Sequence, residues 1–322
     1  MLGRNMDIPE TDLLEKAISE SVSSVEPLEV TDGGLHSSIF IIRTTHNEYV
    51  LRIPKGGQGF CTRFVESHID RSKWFDQRWA TDLARELGVP APEIMYSSRQ
   101  DPRDSVQFVV MERLPGVPIN DYGQWNGCPY DEKEFGEILG KLHAVEIPGA
   151  GPIDDFGDTY FPNWQDFLSA MADRLMQMCL ARGSINYQLY INLQKHWLPH
   201  LGLLSNIDTR LLHLESLGFA NILYSPETRS ITGFLDYEDC VGGDPLFEFA
   251  WMYYYYGHPI SAQTFFDYDR FLSGYGNLPE PADRIEIYQP FMWLTKLSWI
   301  GIDSERAAGY RTKLSKICEG IA

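Results

Sequence analysis

Hydrophobic and polar positions follow two different patterns along this chain. In its first third, short apolar runs alternate with polar turns, which favours β-strands. Residues 38–44 (SIFIIRT) and 49–53 (YVLRI) are the clearest examples, with a polar turn between them. Further strands are predicted over residues 25–30 and 106–112. Apolar positions at helical spacing predict helices over residues 8–22 and 67–87.

After a break at LPGVP (residues 114–118), the pattern becomes mainly helical. Helices are predicted over residues 132–144, 164–182, 187–201, 246–256 and 262–275, and from 285 to the end. Two short strands, 222–224 and 231–235, flank a Ser-Pro-Glu turn. We therefore expect an α+β fold of two lobes. Residues 1–113 would form a small lobe with an antiparallel sheet, and residues 114–322 a larger, mostly helical lobe.

Composition limits the classes of partner. The chain has 322 residues, 43% of them hydrophobic, which is enough to form a core in each lobe. Its formal net charge of -18 argues against nucleic acid and anionic membranes as partners, because like charges repel, and favours a cationic small molecule. No apolar run is long enough for a transmembrane helix, and the first residues lack the apolar core of a signal peptide. Five cysteines without metal-site spacing predict reduced thiols in a cytoplasmic protein.

The strongest chemical signal lies in residues 211–250, LLHLESLGFANILYSPETRSITGFLDYEDCVGGDPLFEFA. A His-x-Glu-Ser run precedes an Asn, a predicted hairpin and an acidic run that begins at Asp236. A phosphotransferase needs this order, because one acid takes the proton of the attacking hydroxyl and an Asn and an Asp then hold Mg²⁺ on the phosphates. The segment therefore predicts transfer of the γ-phosphoryl group of ATP or GTP, with Mg²⁺ as cofactor.

Three stretches resemble the aminoglycoside phosphotransferase and choline kinase branch of the protein-kinase-like fold. GVPAPEIM (residues 88–95) with FVVMERLPGVP (108–118) resembles the helix end and hinge, and LGKLHAVEIPGAGPI (139–153) resembles the helix after the hinge. HLESLGFANILY with FLDYEDCVGGDP resembles the catalytic and metal loops. The resemblance covers roughly residues 25–256. It implies a nucleotide in the cleft between the lobes and a small-molecule hydroxyl acceptor.

The resemblance assigns nucleotide binding to the first lobe and the hinge. Gly33 and Gly34 form a turn that lets backbone N–H groups approach phosphates, although alone the pair would indicate only a hairpin. Ser37 would add a hydroxyl contact. Hinge backbone groups are expected to hold the edge of the base at Met111, Glu112 and Leu114.

Arg52 occupies the third-strand position where kinases usually place a phosphate-binding Lys. Its planar fork suits phosphate oxygens, so it is expected to bind them. The helix position that usually supplies a Glu partner matches Gln77 here. This departure puts the usual ion pair in doubt.

The catalytic loop departs from the family pattern His-x-Asp-x-x-x-x-Asn. Asn221 follows His213 by eight positions, and no Asp lies between them. Counting forward from His213 places Glu215 at the position of the catalytic base, and counting back from Asn221 places Ser216 there. We favour Glu215, because a Ser cannot act as a base unaided and a one-residue bulge would bring the carboxylate in. His213 is expected to hold the loop rather than to carry a proton.

Asn221 and Asp236 are the expected Mg²⁺ ligands. Mg²⁺ prefers hard oxygen ligands and is usually held by one or two side chains together with phosphates. Glu238 and Asp239 either assist or belong to a solvated acidic loop. Asp244 precedes a predicted helix and is expected to satisfy its free N–H groups.

Two functional hypotheses follow. The first is a small-molecule kinase with a cationic, amine-bearing acceptor such as an aminoglycoside antibiotic, an activity that would give antibiotic resistance. This acceptor rests on analogy and on second-lobe acids: Asp154, Asp155, Asp158, Glu238, Asp239, Glu280, Asp283 and Glu286. The second is a catalytically impaired pseudokinase that binds nucleotide or another ligand. The missing Asp and Gln77 motivate it, whereas Asn221 and Asp236 argue against it.

Overall fold

The structure is a computed structural model. It describes residues 8–28, 37–54, 66–68, 77–98, 107–118, 128–214, 221–256, 266–280 and 284–320. These residues form one lobe built on an antiparallel sheet and a second, mostly helical lobe. The predicted α+β class and two-lobe organisation are confirmed.

A five-stranded antiparallel sheet of order β1-β2-β3-β5-β4 forms the first lobe. Its strands are β1 (Val22–Pro27), β2 (Ser37–Thr44), β3 (Glu48–Pro54), β4 (Ile94–Ser97) and β5 (Val109–Glu112). Helix α1 (Thr11–Ile18) packs on this sheet through Leu14 and Ile18, which join Phe40, Ile42 and Leu51 in a small core. The alternating pattern of the strands therefore produces this core, as the period of two requires.

Helix α2 (Arg78–Glu86) is shorter than the predicted helix over residues 67–87. Gln77 has a left-handed conformation, with φ of 59°, and the helix begins after it. A single 3₁₀ turn covers Glu66–His68, and residues 69–76 lie outside the described part of the chain. Ala80 and Ala84 of α2 pack in the core of the second lobe rather than in that of the sheet.

A loop of the second lobe fixes the start of α2. The Asp155 side chain accepts a hydrogen bond from the Gln77 backbone N–H at 2.9 Å. The backbone at Gly157 approaches Trp79 so closely that a Cβ atom there would lie 2.5 Å from the indole ring. The two lobes are therefore joined at the N-terminus of α2 as well as through the hinge.

The second lobe begins at the hinge strand β6 (Val117–Pro118). Its other strands are β7 (Ala150–Ile153), β8 (Thr159–Phe161), β9 (Arg210–His213), β10 (Ile222–Tyr224), β11 (Ile231–Phe234) and β12 (Cys240–Gly243). They form two small sheets, of order β11-β10-β6 and β8-β7-β12-β9. Because β6 pairs with β10, the chain that leaves the first sheet is tied at once to the β10–β11 hairpin.

Helices surround these small sheets. They are α3 (Glu132–His143), α4 (Trp164–Arg182), α5 (Tyr187–His196), α6 (Pro245–Tyr256), α7 (Tyr268–Tyr275), α8 (Arg284–Leu297) and α9 (Glu305–Gly320). The predicted helix 187–201 ends earlier, and a 3₁₀ segment, Leu198–Leu204, follows it. The helix predicted from residue 285 to the end is two helices, with a break between α8 and α9. None of the described helices has the length and apolar character needed to span a bilayer.

Helices α3 and α7 pack at backbone contact. A Cβ atom at Gly136 of α3 would lie 2.2 Å from the Phe271 carbonyl oxygen, and one at Gly274 of α7 would lie 2.0 Å from the Lys133 carbonyl oxygen. Any side chain at either position would therefore force the helices apart. Glycine is required here by close approach.

We expect Gly136→Ala to lower the free energy of unfolding by about 1–3 kcal/mol, because the added methyl has no room beside α7. Gly309→Ala is the matched control: Gly309 is an exposed residue of α9 with no atom within 4 Å of the added Cβ. That substitution should stabilise the protein by about 0.5–1 kcal/mol through helix propensity. Urea denaturation followed by circular dichroism measures both. Equal midpoints for the two variants would contradict the close packing of α3 on α7.

Candidate active site

The β10–β11 hairpin brings the two predicted metal ligands to the same end. Ile222 pairs with Phe234 in this antiparallel hairpin, and the Leu235 N–H donates to the Asn221 carbonyl at 2.8 Å. Asn221 therefore enters β10 where Asp236 leaves β11. The hairpin register, a local feature, therefore places the two residues at the same end of the hairpin.

Asp236 is held in an uncommon conformation, with φ of 66°, at the start of the 3₁₀ turn Tyr237–Asp239. Asp adopts this left-handed region more readily than most residues, and such conformations are often found at functional sites. Its Oδ1 atom is buried and makes no hydrogen bond among the described residues. The nearest cation is the Arg52 guanidinium, with Nη1 at 3.5 Å.

The electrostatics of Asp236 suit a divalent cation. Burial and the neighbouring Glu238 carboxylate raise the pKa of Asp236 above its ordinary value, and Arg52 opposes this rise. A hard divalent cation would favour the ionised carboxylate and would satisfy the buried oxygen. Within the described ranges, no group of three or more His, Cys, Asp or Glu is placed to hold a metal. The buried Asp236 oxygen fits one ligand of a Mg²⁺ ion whose other ligands come from phosphates.

Arg52 lies at the centre of a compact polar cluster. Its Nη2 donates to Glu238 Oε2 at 2.5 Å, and its Nε donates to Ser37 Oγ at 2.8 Å. The guanidinium side chain is only 14% exposed. Gln77 Nε2 donates to the same Glu238 oxygen at 3.3 Å. Glu238 is therefore a partner of Arg52, and the alternative of a merely solvated acidic loop does not hold for it.

His213 is a buried scaffold residue at the end of β9. Its ring packs against Phe234 and Tyr237, with 4.3 Å between the centroids of the His213 and Tyr237 rings, and its backbone N–H donates to Glu248 at 3.3 Å. Burial lowers the pKa of His213 to about 4, so the ring is neutral at pH 7. A fully buried neutral imidazole supports the expected structural role in the loop.

A buried hydrogen-bond chain connects this region to three helices. His143 of α3 contacts Glu248 of α6 through Nε2 at 2.9 Å and the Tyr275 hydroxyl of α7 through Nδ1 at 2.9 Å. Glu248 also accepts from the His213 backbone. Since buried polar groups are stable only when hydrogen-bonded, this chain fixes the relative positions of α3, α6, α7 and β9.

Asp244 has the architectural role that its position predicts. Its Oδ1 accepts from the Leu246 backbone N–H at 3.0 Å at the start of α6. Its Oδ2 accepts from the Tyr288 hydroxyl at 2.7 Å and lies 3.0 Å from Arg284 Nε. The carboxylate is 1% exposed. These contacts connect the start of α6 to α8.

The predicted hinge residues have only some of their backbone groups available to bind the adenine or guanine of a nucleotide. The Glu112 N–H donates to the Glu93 carbonyl at 2.8 Å, so this N–H group is used within the sheet edge. Met111 is half-buried in β5, where it pairs with Val50. Glu112 and Leu114 line a groove of about 550 Å³ together with the β2–β3 turn. Neither Arg52 nor Asp236 borders this groove, so it is separate from the polar cluster.

Several predicted residues require correction or lie outside the description. Gly33, Gly34, Glu215, Ser216 and Asp283 belong to segments outside the described residues. Asp154 and Asp239 are 3% and 1% exposed, so they are not part of an acidic surface for a cationic acceptor. Asp154 instead accepts hydrogen bonds from the Phe156 and Asp158 N–H groups of its own turn. Asp155 and Glu238 are engaged with Gln77 and Arg52, as described above.

Known proteins match this chain over most of its length. The family model described as the phosphotransferase enzyme family matches residues 28–284. Hygromycin-B 4-O-kinase of Escherichia coli is 21% identical over 248 residues, which is 75% of this chain and 66% of that relative, just under two thirds of its length.

Solved structures of similar proteins share the fold. A thermostable mutant of aminoglycoside phosphotransferase APH(4)-Ia, in a ternary complex with AMP-PNP and hygromycin B, has a TM-score of 0.61 at 21% identity. The match covers 96% of this chain and 97% of that one. Choline kinase LicA from Streptococcus pneumoniae has a TM-score of 0.56 at 16% identity, over 96% and 98% of the two chains. At these identities the structural matches show a common fold, which is the protein-kinase-like fold that the sequence indicated.

We expect Asp244→Asn to destabilise the protein by about 3–5 kcal/mol, because it leaves the half-buried Arg284 without its buried counter-ion. Asp131→Asn is the control, since its pair with Arg270 lies at the surface and should contribute less than about 1 kcal/mol. Chemical denaturation of both variants measures the difference. Similar losses for the two variants would contradict the buried role of Asp244.

His213 should make stability depend on pH below neutrality. Its folded-state pKa of about 4 lies below the ordinary value of 6.5, so only the unfolded chain takes up this proton between these values. The contribution of His213 to the free energy of unfolding is therefore complete above pH 6.5. It is lost as the pH falls towards 4, by at most about 1.4 kcal/mol per pH unit. His213→Gln should flatten this slope, whereas His46→Gln, at an exposed position, should not. Free energies of unfolding measured from pH 4.5 to 7.5 test this prediction. Identical slopes against pH for the unmodified protein and the two variants would refute it.

Proposed function

This chain belongs to the phosphotransferase enzyme family, and on that premise we propose that it transfers the γ-phosphoryl group of ATP or GTP to a hydroxyl group of a small molecule. The observation that carries the proposal is the approach of Arg52 to Asp236, from β3 of one lobe and the end of β11 in the other. A cation for phosphates and an acid for Mg²⁺ thus face each other between the lobes. Charge neutralisation at this point is what phosphoryl transfer requires.

Each residue has a proposed role in binding. Asn221 and Asp236 would hold Mg²⁺, which would supply positive charge to neutralise the charge that develops during transfer. Arg52 would bind phosphate oxygens, with Ser37 fixing its Nε. Gly33 and Gly34 would supply backbone N–H groups to the phosphates, and the hinge residues Met111, Glu112 and Leu114 would border the base.

Chemistry then needs a base near the acceptor hydroxyl. We assign this role to Glu215, with Ser216 as the alternative that the residue count leaves open. The carboxylate takes the hydroxyl proton as the acceptor oxygen bonds to the γ-phosphorus, and the bond to the bridging oxygen breaks with release of the nucleoside diphosphate. His213, neutral and buried at the end of β9, is assigned no part in proton transfer.

The acceptor we favour is amine-bearing, as in an aminoglycoside antibiotic. A net charge of -18 attracts a cation, and one structural neighbour binds hygromycin B. Second-lobe acids support a cationic acceptor less strongly than the sequence indicated, because Asp154 and Asp239 are buried. Net charge and the neighbour therefore carry this choice, and a choline-like alcohol is the second candidate because another neighbour is a choline kinase. Turnover assays with both acceptor classes decide between them.

We expect Asp236→Asn to reduce Mg²⁺-dependent phosphotransfer by at least about 10²-fold, because it removes the charged metal ligand at the transferring group. Asp269→Asn, on the exposed face of α7, is the control. Product formation with ATP and GTP measures the rates. An unchanged rate in Asp236→Asn would overturn the role of Asp236 as a metal ligand. Absence of product from the unmodified protein would instead favour the pseudokinase hypothesis.

We expect Glu215→Gln to lower kcat by about 10²–10⁴-fold, the usual contribution of a general base, with little change in KM for nucleotide. Ser216→Ala is its companion and should retain turnover. Single-turnover kinetics at saturating nucleotide separates chemistry from binding. Loss in Ser216→Ala alone would reverse the assignment, and full turnover in both variants would mean that neither residue is the base.

A further inference from the structure

Arg52 receives its counter-charge from an unexpected element. Its Nη2 is 2.5 Å from Glu238 Oε2, in the acidic turn after β11, whereas Nη1 is 3.5 Å from Asp236. Both distances cross from the sheet lobe to the helical lobe. The shorter contact is a charge-assisted hydrogen bond and the longer one is an ion pair only.

Within the described residues, no acid of α2 pairs with Arg52. Gln77, at the start of α2, is neutral and donates its amide to the same Glu238 oxygen at 3.3 Å. Its backbone is held in place by the second lobe, because the Gln77 N–H donates a hydrogen bond to the Asp155 side chain at 2.9 Å. Gln77 therefore supports the acid that pairs with Arg52.

The geometry around Arg52 is constrained at three atoms. Ser37 accepts from Nε, Glu238 accepts from Nη2, and Asp236 lies near Nη1. With 14% and 21% of their side chains exposed, Arg52 and Glu238 are weakly screened by water. If Glu238 lost its charge, Asp236 would be the acid that still pairs with Arg52 among the described residues, and the guanidinium would compete with a cation for that carboxylate.

We propose that Glu238 is the positioning residue for Arg52: it supplies the counter-ion that α2 lacks, and it keeps the guanidinium from closing on Asp236. This inference rests on the proposed phosphotransferase function. Glu238 acts through Arg52, which contacts the phosphates, and is not itself a ligand of Mg²⁺.

A charge exchange tests the proposal. Glu238→Gln removes the counter-ion. The double variant Gln77→Glu/Glu238→Gln exchanges the acid and the amide across the Gln77–Glu238 hydrogen bond, so the net charge stays that of the unmodified protein. Gln77→Glu alone and Glu227→Gln, at an exposed turn, are the controls. Calorimetry gives the Kd for ATP and GTP with and without Mg²⁺, and steady-state kinetics gives KM and kcat.

We expect Glu238→Gln to weaken nucleotide binding about 10- to 100-fold, even without Mg²⁺, because Arg52 loses a charge-assisted hydrogen bond that orients it. The KM for the acceptor should not change. The double variant should recover most of this loss, because the two positions are coupled through one contact. Glu227→Gln should bind as the unmodified protein does.

Three results would overturn the proposal. Unchanged nucleotide affinity in Glu238→Gln would show that Arg52 needs no such partner. A double variant as weak as the single one would show that the acid is not interchangeable across the contact. A loss that appears only with Mg²⁺, and that a higher Mg²⁺ concentration reverses, would make Glu238 a metal ligand.

The unmodified protein separates this proposal from the proposed function. If it binds nucleotide and turns over while the Glu238 variants match it, only the positioning role fails. If it binds neither ATP nor GTP with Mg²⁺, the phosphotransferase assignment fails and the role of Glu238 fails with it. Thermal midpoints of all variants, followed by circular dichroism, show whether each remains folded.

Discussion

Charge pairing between Arg52 and the acidic turn after β11 is the constraint on which the site depends. Asp236, Glu238 and Asp239 lie within four consecutive residues, in a region of limited exposure. Burial, and after it the neighbouring Glu238 carboxylate, raise the pKa of Asp236. Arg52 reaches the cluster from the other lobe. One cation therefore offsets local charge and also links the two halves of the fold.

Buried polar contacts give this cluster a rigid base. Glu248 and Asp244, both on or beside α6, are almost completely buried and fully engaged with His143, Tyr288 and Arg284. These contacts hold β9 and the start of α6, directly after β12, in fixed positions. Preorganised surroundings of this kind allow a site to stabilise developing charge without reorganising during the reaction.

Elements with a strong period were predictable, whereas several short strands were not. The strands over residues 38–44 and 49–53 and the helices over residues 132–144 and 164–182 closely match β2, β3, α3 and α4, because each has several apolar positions that repeat on one face. β7 and β12 were missed. Each has only four residues, including Gly151 and Pro152 in β7 and two glycines in β12. Such a segment becomes a strand only because a neighbouring strand supplies its hydrogen bonds.

The sequence by itself determined the features that depend on neighbouring residues: the β10–β11 hairpin, the meeting of Asn221 and Asp236 at its end, and the helix cap at Asp244. Hairpin register and capping act over a few residues, so spacing reveals them. Tertiary structure alone decided the partner of Arg52. Glu238 lies 186 positions away along the chain, and no local pattern distinguishes an acid that pairs with a cation in the other lobe from one that faces water. That choice depends on how the lobes pack, since α2 presents the neutral Gln77 and the acidic turn presents its carboxylate at the same point in space.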